Sequence, residues 1–183
     1  MSFTSAKEAF EQGGVIAYPT EGVFGLGCDP SNEQAIAKLI SVKSRSVEKG
    51  LILLAGDYQQ LKPYINESLL PEDKKQHMLD TWPNGTTFVV PANKSLSAFL
   101  TGKFATIAVR ITDQPDVTAL CQQTQKPIVS TSANISGEPS AATWQTLSAE
   151  IVDKIDFIIK GNTLGYTKAS TIVDAITGTV FRA

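Results

Sequence analysis

The chain has 183 residues, 42% of them hydrophobic and 19% charged, with 13 glycines and 9 prolines. That composition fits a single globular domain of roughly 100–200 residues and excludes collagen-like and disordered classes. Lys and Arg number 16 against 18 Asp and Glu, a formal net charge of -2, which excludes a globally basic nucleic-acid binder but leaves room for a local basic pocket.

In chain order, Ser5 and Glu8 form a capping box that opens a short helix, stopped at Gly13-Gly14. Val15–Tyr18 reads as a buried strand broken by Pro19, and a glycine-rich strand-loop follows over Glu21–Gly27. Ser31 to Val42 is helical, with Ala35, Ile36, Leu39 and Ile40 on one face. Leu51–Ala55 is a central strand, Tyr58–Ile65 and Pro71–Thr81 are helical, and Thr86–Val90 is a strand. Thr106–Arg110 is a strand ending on a charge, Val117–Gln125 a helix, Pro127–Val129 a strand and Thr143–Ile155 a helix. Phe157–Ile159 and Thr171–Asp174 are strands, and Thr177-Gly178 turns the chain into a last strand, Thr179–Arg182. Short strands alternating with helices predict a layered α+β (mixed α/β) domain spanning 1–183, and the terminal hairpin argues against a purely parallel sheet.

Several chemistries are poorly supplied. Cys28 and Cys121 are far apart, with no C-x-x-C, and read as buried hydrophobes rather than a disulfide or zinc pair. His77, the single histidine, lies in a polar helical stretch and reads as a surface residue, so no histidine metal cluster is expected. No G-x-S-x-G, G-x-x-x-x-G-K-[ST] or G-x-G-x-x-G occurs. The first residues lack the apolar core of a signal peptide and no run approaches a membrane span, so the expected location is the cytosol.

Four features point to an anion site. Arginine is scarce: 13 lysines but only Arg45, Arg110 and Arg182. Generic surface charge is thus left to lysine, and two of the arginines end strands, where a planar fork is placed to grip phosphate or carboxylate. Lys43, Arg45 and Lys49 fall within seven residues between a helix and a strand, either a solvated loop or a mobile phosphate clamp. Ser130-Thr131-Ser132-Ala133-Asn134-Ile135-Ser136-Gly137 follows a strand, either a polar loop or an anion-binding nest, with Asn134 and Gly137 suited to left-handed backbone. Tyr18-Pro19-Thr20-Glu21-Gly22 leaves Thr20 and Glu21 at a strand end, and Ser170-Thr171 is a second hydroxyl pair.

In this order the segments resemble the YrdC-type threonylcarbamoyl-AMP synthases, short bacterial form. The matching pieces are Tyr18–Glu21 with Phe24–Gly27, Lys43-Ser44-Arg45 with Lys49–Ile52, Trp82-Pro83 with Thr86-Thr87, Val109-Arg110, Pro127–Asn134 with Ser136-Gly137, and Ser170-Thr171 with Val173-Asp174. Ser46 stands where the family usually has proline, and Asn84-Gly85 replaces Gly-Pro after Trp82-Pro83. The resemblance implies a twisted mixed parallel and antiparallel sheet with helices on both faces around a deep basic cavity. It implies condensation of L-threonine, bicarbonate or CO2 and ATP to L-threonylcarbamoyl-AMP and pyrophosphate, with Mg2+ bound through phosphates. The product would serve modification of the tRNA adenosine beside the anticodon, through a separate tRNA threonylcarbamoyl transferase complex, with direct tRNA contact left open. Lys43 and Arg45 are then the expected catalytic cations, with Lys49 beside them on the triphosphate. Thr131, Ser132, Asn134 and Ser136 would hold phosphate or adenosine, Thr20 and Arg110 threonine, and Ser170 and Arg182 would close the cavity. The competing reading is an RNA-binding module that assists RNA folding or ribosome maturation through a basic concavity.

Overall fold

A computed structural model describes residues 3–167 and 169–183. Its strands form one sheet in the order β7-β1-β2-β6-β3-β5-β4-β8-β9. They are β1 (Ile16–Pro19), β2 (Phe24–Gly27), β3 (Ile52–Ala55), β4 (Thr86–Pro91), β5 (Thr106–Ile111), β6 (Ile128–Ser132), β7 (Phe157–Ile158), β8 (Thr171–Asp174) and β9 (Val180–Arg182). β1–β7, β3–β5 and β4–β8 pair in parallel and the other neighbours antiparallel, so the expected mixed sheet is present. The helices are α1 (Ala6–Glu11), α2 (Glu33–Val42), α3 (Tyr58–Leu61), α4 (Glu72–Thr81), α5 (Ala98–Thr101), α6 (Pro115–Thr124) and α7 (Ala149–Val152). Ser5 caps α1 by accepting the Glu8 N–H, as its sequence position predicts, and Asn32 caps α2 in the same way.

Strand alternation assigns the two faces of the sheet. Ala17, Leu53, Ala55, Ile107 and Val109 point one way, into the larger core with Ile36 and Leu39 of α2. Ile16, Tyr18 and Leu54 point the other way, into a smaller core with Phe10 of α1 and Val117, Leu120 and Cys121 of α6. Helices therefore cover both faces. On the second face, Ile52, Ala108, Arg110, Ser130 and Ser132 share the phase of Leu54 but line open space instead of packing beneath a helix.

The local departures have local causes. Tyr58–Ile65 is not one helix: α3 ends at Leu61 and a 3₁₀ turn over Lys62–Tyr64 follows, where Pro63 has no N–H to extend the α ladder. Thr143–Ile155 is split into a 3₁₀ turn at Trp144–Thr146 and α7, because Ser148 accepts the Ile151 N–H and starts a new helix. In β2, Gly27 is required: a Cβ there would overlap the Val129 carbonyl of the neighbouring β6 region. His77 is exposed and meets Phe88 edge-on, with centroids 6.0 Å apart. Cys28 and Cys121 are free and buried, and burial pushes the Cys121 thiol up to about 12. Among the described residues, no helix is long and apolar enough to cross a membrane.

Candidate active site

The open part of the second face is a cavity of about 930 Å³, near the upper end of the ~300–1,000 Å³ of small-molecule sites. The register places Val89, Ala108, Ile52 and Ser130 side by side across β4, β5, β3 and β6, and all four line it. Short side chains at Ala108 and Ser130 keep the floor low. The connection from β7 to β8, which lie near opposite edges of the sheet, lends Tyr166, Ala169 and Ser170 to the lining. It is tied to the turn after β1 by two bonds, Leu164 N–H to Thr20 O at 3.3 Å and Tyr166 N–H to Glu21 O at 3.0 Å.

All three arginines reach this one cavity. Arg45 arrives through the end of α2. Ser44 takes a left-handed conformation (φ 49°) and the Arg45 N–H bonds back to Ile40 O at 3.1 Å, a Schellman-type stop that turns the chain toward the sheet. The Arg45 guanidinium donates to Gly50 O at 2.9 Å, its buried Nε has no partner among the described residues, and burial lowers its pKa. Arg110 ends the alternating stretch of β5, and its Nη2 lies 3.2 Å from Glu21 Oε2, both side chains buried. Arg182 donates from Nε to Ser170 O and from Nη2 to Ser170 Oγ, each at 2.8 Å. Burial, and then the nearby charge of Arg110, lower its pKa. Three guanidiniums around one cavity, of which only Arg110 is paired with a carboxylate, favour an anionic ligand.

Of the other expected residues, Thr20, Lys49, Thr131, Ser132 and Ser170 also line the cavity, Lys49 from its exposed rim. Thr20 donates its hydroxyl to Val23 O at 2.7 Å, so it presents lone pairs to a ligand. Three expected residues stand outside the cavity lining. Lys43 does not face the cavity: it is buried, and its Nζ donates to Ser132 O and to Asn134 O and Oδ1. Burial, then the Arg45 charge, lowers its pKa to about 8. Asn134 also stands behind the wall, its Oδ1 accepting from Ser132 Oγ at 2.5 Å and its Nδ2 donating to Ile135 O and Glu138 O. Ser136 is exposed and gives its N–H to Lys43 O at 3.2 Å. Gly137 is left-handed (φ 94°) as the nest required, but Asn134 is not. Lys43 and Asn134 therefore shape the loop that offers Thr131 and Ser132, because their polar groups already bond within it.

The sequence reading missed Thr106 and Ser140, which line the cavity, while Ser130, named in the candidate nest, lines it too. Thr106 was detectable, since it shares the period-2 phase of Arg110 on β5. The two unusual positions cause no break. Ser46 has φ -67°, a value proline also takes, and its side chain accepts the Glu48 N–H. Gly85 adopts φ 75°, as only glycine does readily, and closes the turn with a 2.8 Å bond to Pro83 O.

A concave basic cavity on a mixed α/β sheet, lined by arginines, hydroxyls and one buried carboxylate, defines a binding site for a small polyanion. The family comparison agrees: the Sua5/YciO/YrdC family model, described as "Telomere recombination", matches residues 8–183, and the chain belongs to that family. Among similar proteins, the threonylcarbamoyl-AMP synthase of Photobacterium profundum is 49% identical over 95% of this chain and 94% of its own length. The enzyme of the same name from Vibrio parahaemolyticus is 47% identical over 99% and 98%. The crystal structure of P. abyssi Sua5 complexed with L-threonine superposes with a TM-score of 0.85 at 30% identity, covering 92% of this chain and 49% of that one. E. coli YciO gives 0.84 at 26% identity, covering 97% and 86%.

Proposed function

We propose that this protein is an ATP-using enzyme that makes L-threonylcarbamoyl-AMP and pyrophosphate from L-threonine, bicarbonate or CO2, and ATP. The observation that carries the reading is the convergence of Arg45, Arg110 and Arg182 on one cavity, in a chain nearly half identical to proteins of that name. In the first step the amine of threonine adds to CO2 and loses a proton, giving a carbamate. A carbamate oxygen then attacks the α-phosphorus of ATP, the bond to the bridging oxygen breaks, and pyrophosphate leaves. Attack at a phosphoryl group depends mainly on positioning and on stabilising charge. Arg45 and Lys49 serve the phosphates, with Thr131 and Ser132 beside them. Thr20 and Arg110 hold the amino acid, with Ser170 and Arg182 closing that end. Lys43, Asn134 and Ser136 fix the hydroxyl loop.

Among the described residues no group of three His, Cys, Asp or Glu could hold a metal, and the one acidic side chain lining the cavity, Glu21, pairs with Arg110. Magnesium would therefore enter on triphosphate oxygens, where it would neutralise leaving-group charge. The RNA-binding alternative is disfavoured because the arginines face inward rather than forming an open basic surface. The test is pyrophosphate release from ATP and bicarbonate with threonine, serine, valine or no amino acid. Threonine should give the fastest release, and equal rates in all four would refute the proposal. Some activity with serine is compatible, because one methyl is worth only about 1–3 kcal/mol in a pocket.

A further inference from the structure

Thr87 has no part in the site as described, yet its hydroxyl acts directly on a cavity residue. Thr87 stands on β4 next to β8 and is fully buried. Its Oγ1 lies 3.1 Å from Ser170 Oγ, its hydrogen-bond partner among the described residues. Ser170 Oγ also accepts from Arg182 Nη2 at 2.8 Å, a bond whose direction is certain because a guanidinium only donates.

The remaining hydrogens can be placed by elimination. A hydroxyl has one hydrogen and two lone pairs. A buried hydroxyl hydrogen without an acceptor is costly, so Thr87 donates to Ser170 rather than the reverse. Thr87 and Arg182 then occupy both lone pairs of Ser170. The Ser170 hydrogen is left over, on a side chain that lines the cavity. In the opposite arrangement Ser170 would turn a lone pair toward the cavity, where it would repel an anion.

We propose that Thr87 is a positioning residue that makes Ser170 an obligate hydrogen-bond donor toward an anionic oxygen of the substrate. Arg182, held by its two bonds to Ser170, polarises that hydroxyl and adds positive charge beside it. The proposal rests on the function proposed above only in naming the candidate anions, a carboxylate of the amino acid or a phosphate of the nucleotide.

The test compares Thr87→Val, which keeps the branched shape but removes the hydroxyl, with Thr87→Ser, which keeps the hydroxyl. The measurements are KM and kcat for L-threonine and for ATP, calorimetric binding of each alone, and melting temperature. Thr87→Val should raise KM and Kd about tenfold for the substrate whose oxygen Ser170 holds, the size expected for a hydrogen bond to a charged group. The substrate affected distinguishes carboxylate from phosphate. Thr87→Ser should restore the wild-type values to within about twofold. Unchanged KM and Kd in Thr87→Val would overturn the proposal. So would equal impairment in Thr87→Ser, or a lowered melting temperature with both affinities intact, since those outcomes indicate packing. If the wild-type protein released no pyrophosphate with threonine, the functional reading would fail by itself, and calorimetry with the two ligands would still decide the role of Thr87.

Discussion

Arg110 is best tested with two substitutions that separate its charge from its fork. Its Nη2 is 3.2 Å from Glu21 Oε2, and the two side chains are only 9% and 6% exposed. Arg110→Met would strand the Glu21 carboxylate in a buried site, a change that costs about 3–5 kcal/mol. At about 2–4 °C per kcal/mol for a chain of this size, the melting temperature should fall by about 6–20 °C. Glu21→Gln in the same chain should recover at least half of that loss, because no charge is then left unpaired. Arg110→Lys keeps a cation opposite Glu21, so its melting temperature should fall much less. One ammonium cannot both hold Glu21 and grip a substrate oxygen as a planar fork does. Losing one charge-assisted bond, worth about 1.5–3 kcal/mol, should lower kcat/KM by about 10- to 100-fold. Scanning calorimetry and pyrophosphate release measure the two effects. Full activity in Arg110→Lys would remove Arg110 from the substrate site, and an unaltered melting temperature in Arg110→Met would show that the ion pair contributes nothing.

Other outcomes follow from the same geometry. Ser44 is a non-glycine residue at φ 49°, so Ser44→Gly should relieve about 1 kcal/mol of strain and raise the melting temperature slightly without loss of activity. Gly27→Ala should destabilise by more than about 2 kcal/mol, read by urea denaturation, because its Cβ would overlap the Val129 carbonyl. The Lys43 pKa is lowered from 10.5 to about 8, so above pH 8 the unfolded chain binds more protons than the folded one. Folding stability should therefore rise from pH 8 to 10.5 relative to Lys43→Met, and parallel stability curves for the two proteins would contradict the burial of this charge. The purified protein with tRNA, ATP, labelled threonine and bicarbonate should not label tRNA efficiently until a transferase is added, which filter binding of the tRNA would measure.

The sequence exposes what is periodic or local. The run Thr106-Ile-Ala-Val-Arg110 carries both the strand and its two faces, since Ile107 and Val109 enter the core while Thr106, Ala108 and Arg110 line the cavity. The scarcity of arginine was equally readable and led to the cavity. Partner choice was not readable. Lys43 and Arg45 look alike as cations two residues apart, but the left-handed Ser44 between them sends one into the Ser132–Asn134 loop and the other into the cavity. Nor could the chain pattern place Tyr166 or Ser140 on the cavity wall. Each lies in a connection between strands consecutive in sequence but far apart in the sheet, so its place depends on the sheet order rather than on neighbouring residues.

The composition of the cavity also bears on how the reaction proceeds. Its wall offers guanidiniums, hydroxyls and a carboxylate already paired with Arg110. His77 is exposed elsewhere, and the cysteines are buried with their thiols pushed up by desolvation, so they stay protonated and unreactive. Those groups suit a reaction in which the substrates bring their own nucleophile: an amine for CO2, then a carbamate for phosphorus. Both partners of the second step are anions, and their mutual repulsion opposes the approach. At 4 Å two unit charges interact by about 4 kcal/mol at an effective dielectric of 20, so neutralising the phosphates removes a barrier comparable to several powers of ten in rate. In the proposed arrangement Arg45 and Lys49 would do this for the phosphates, and a guanidinium already held in place needs no reorganisation during the reaction. Arg45 and Arg182 are anchored to the backbone of Gly50 and Ser170, and Arg110 to Glu21, so each charge is already in place before substrate arrives.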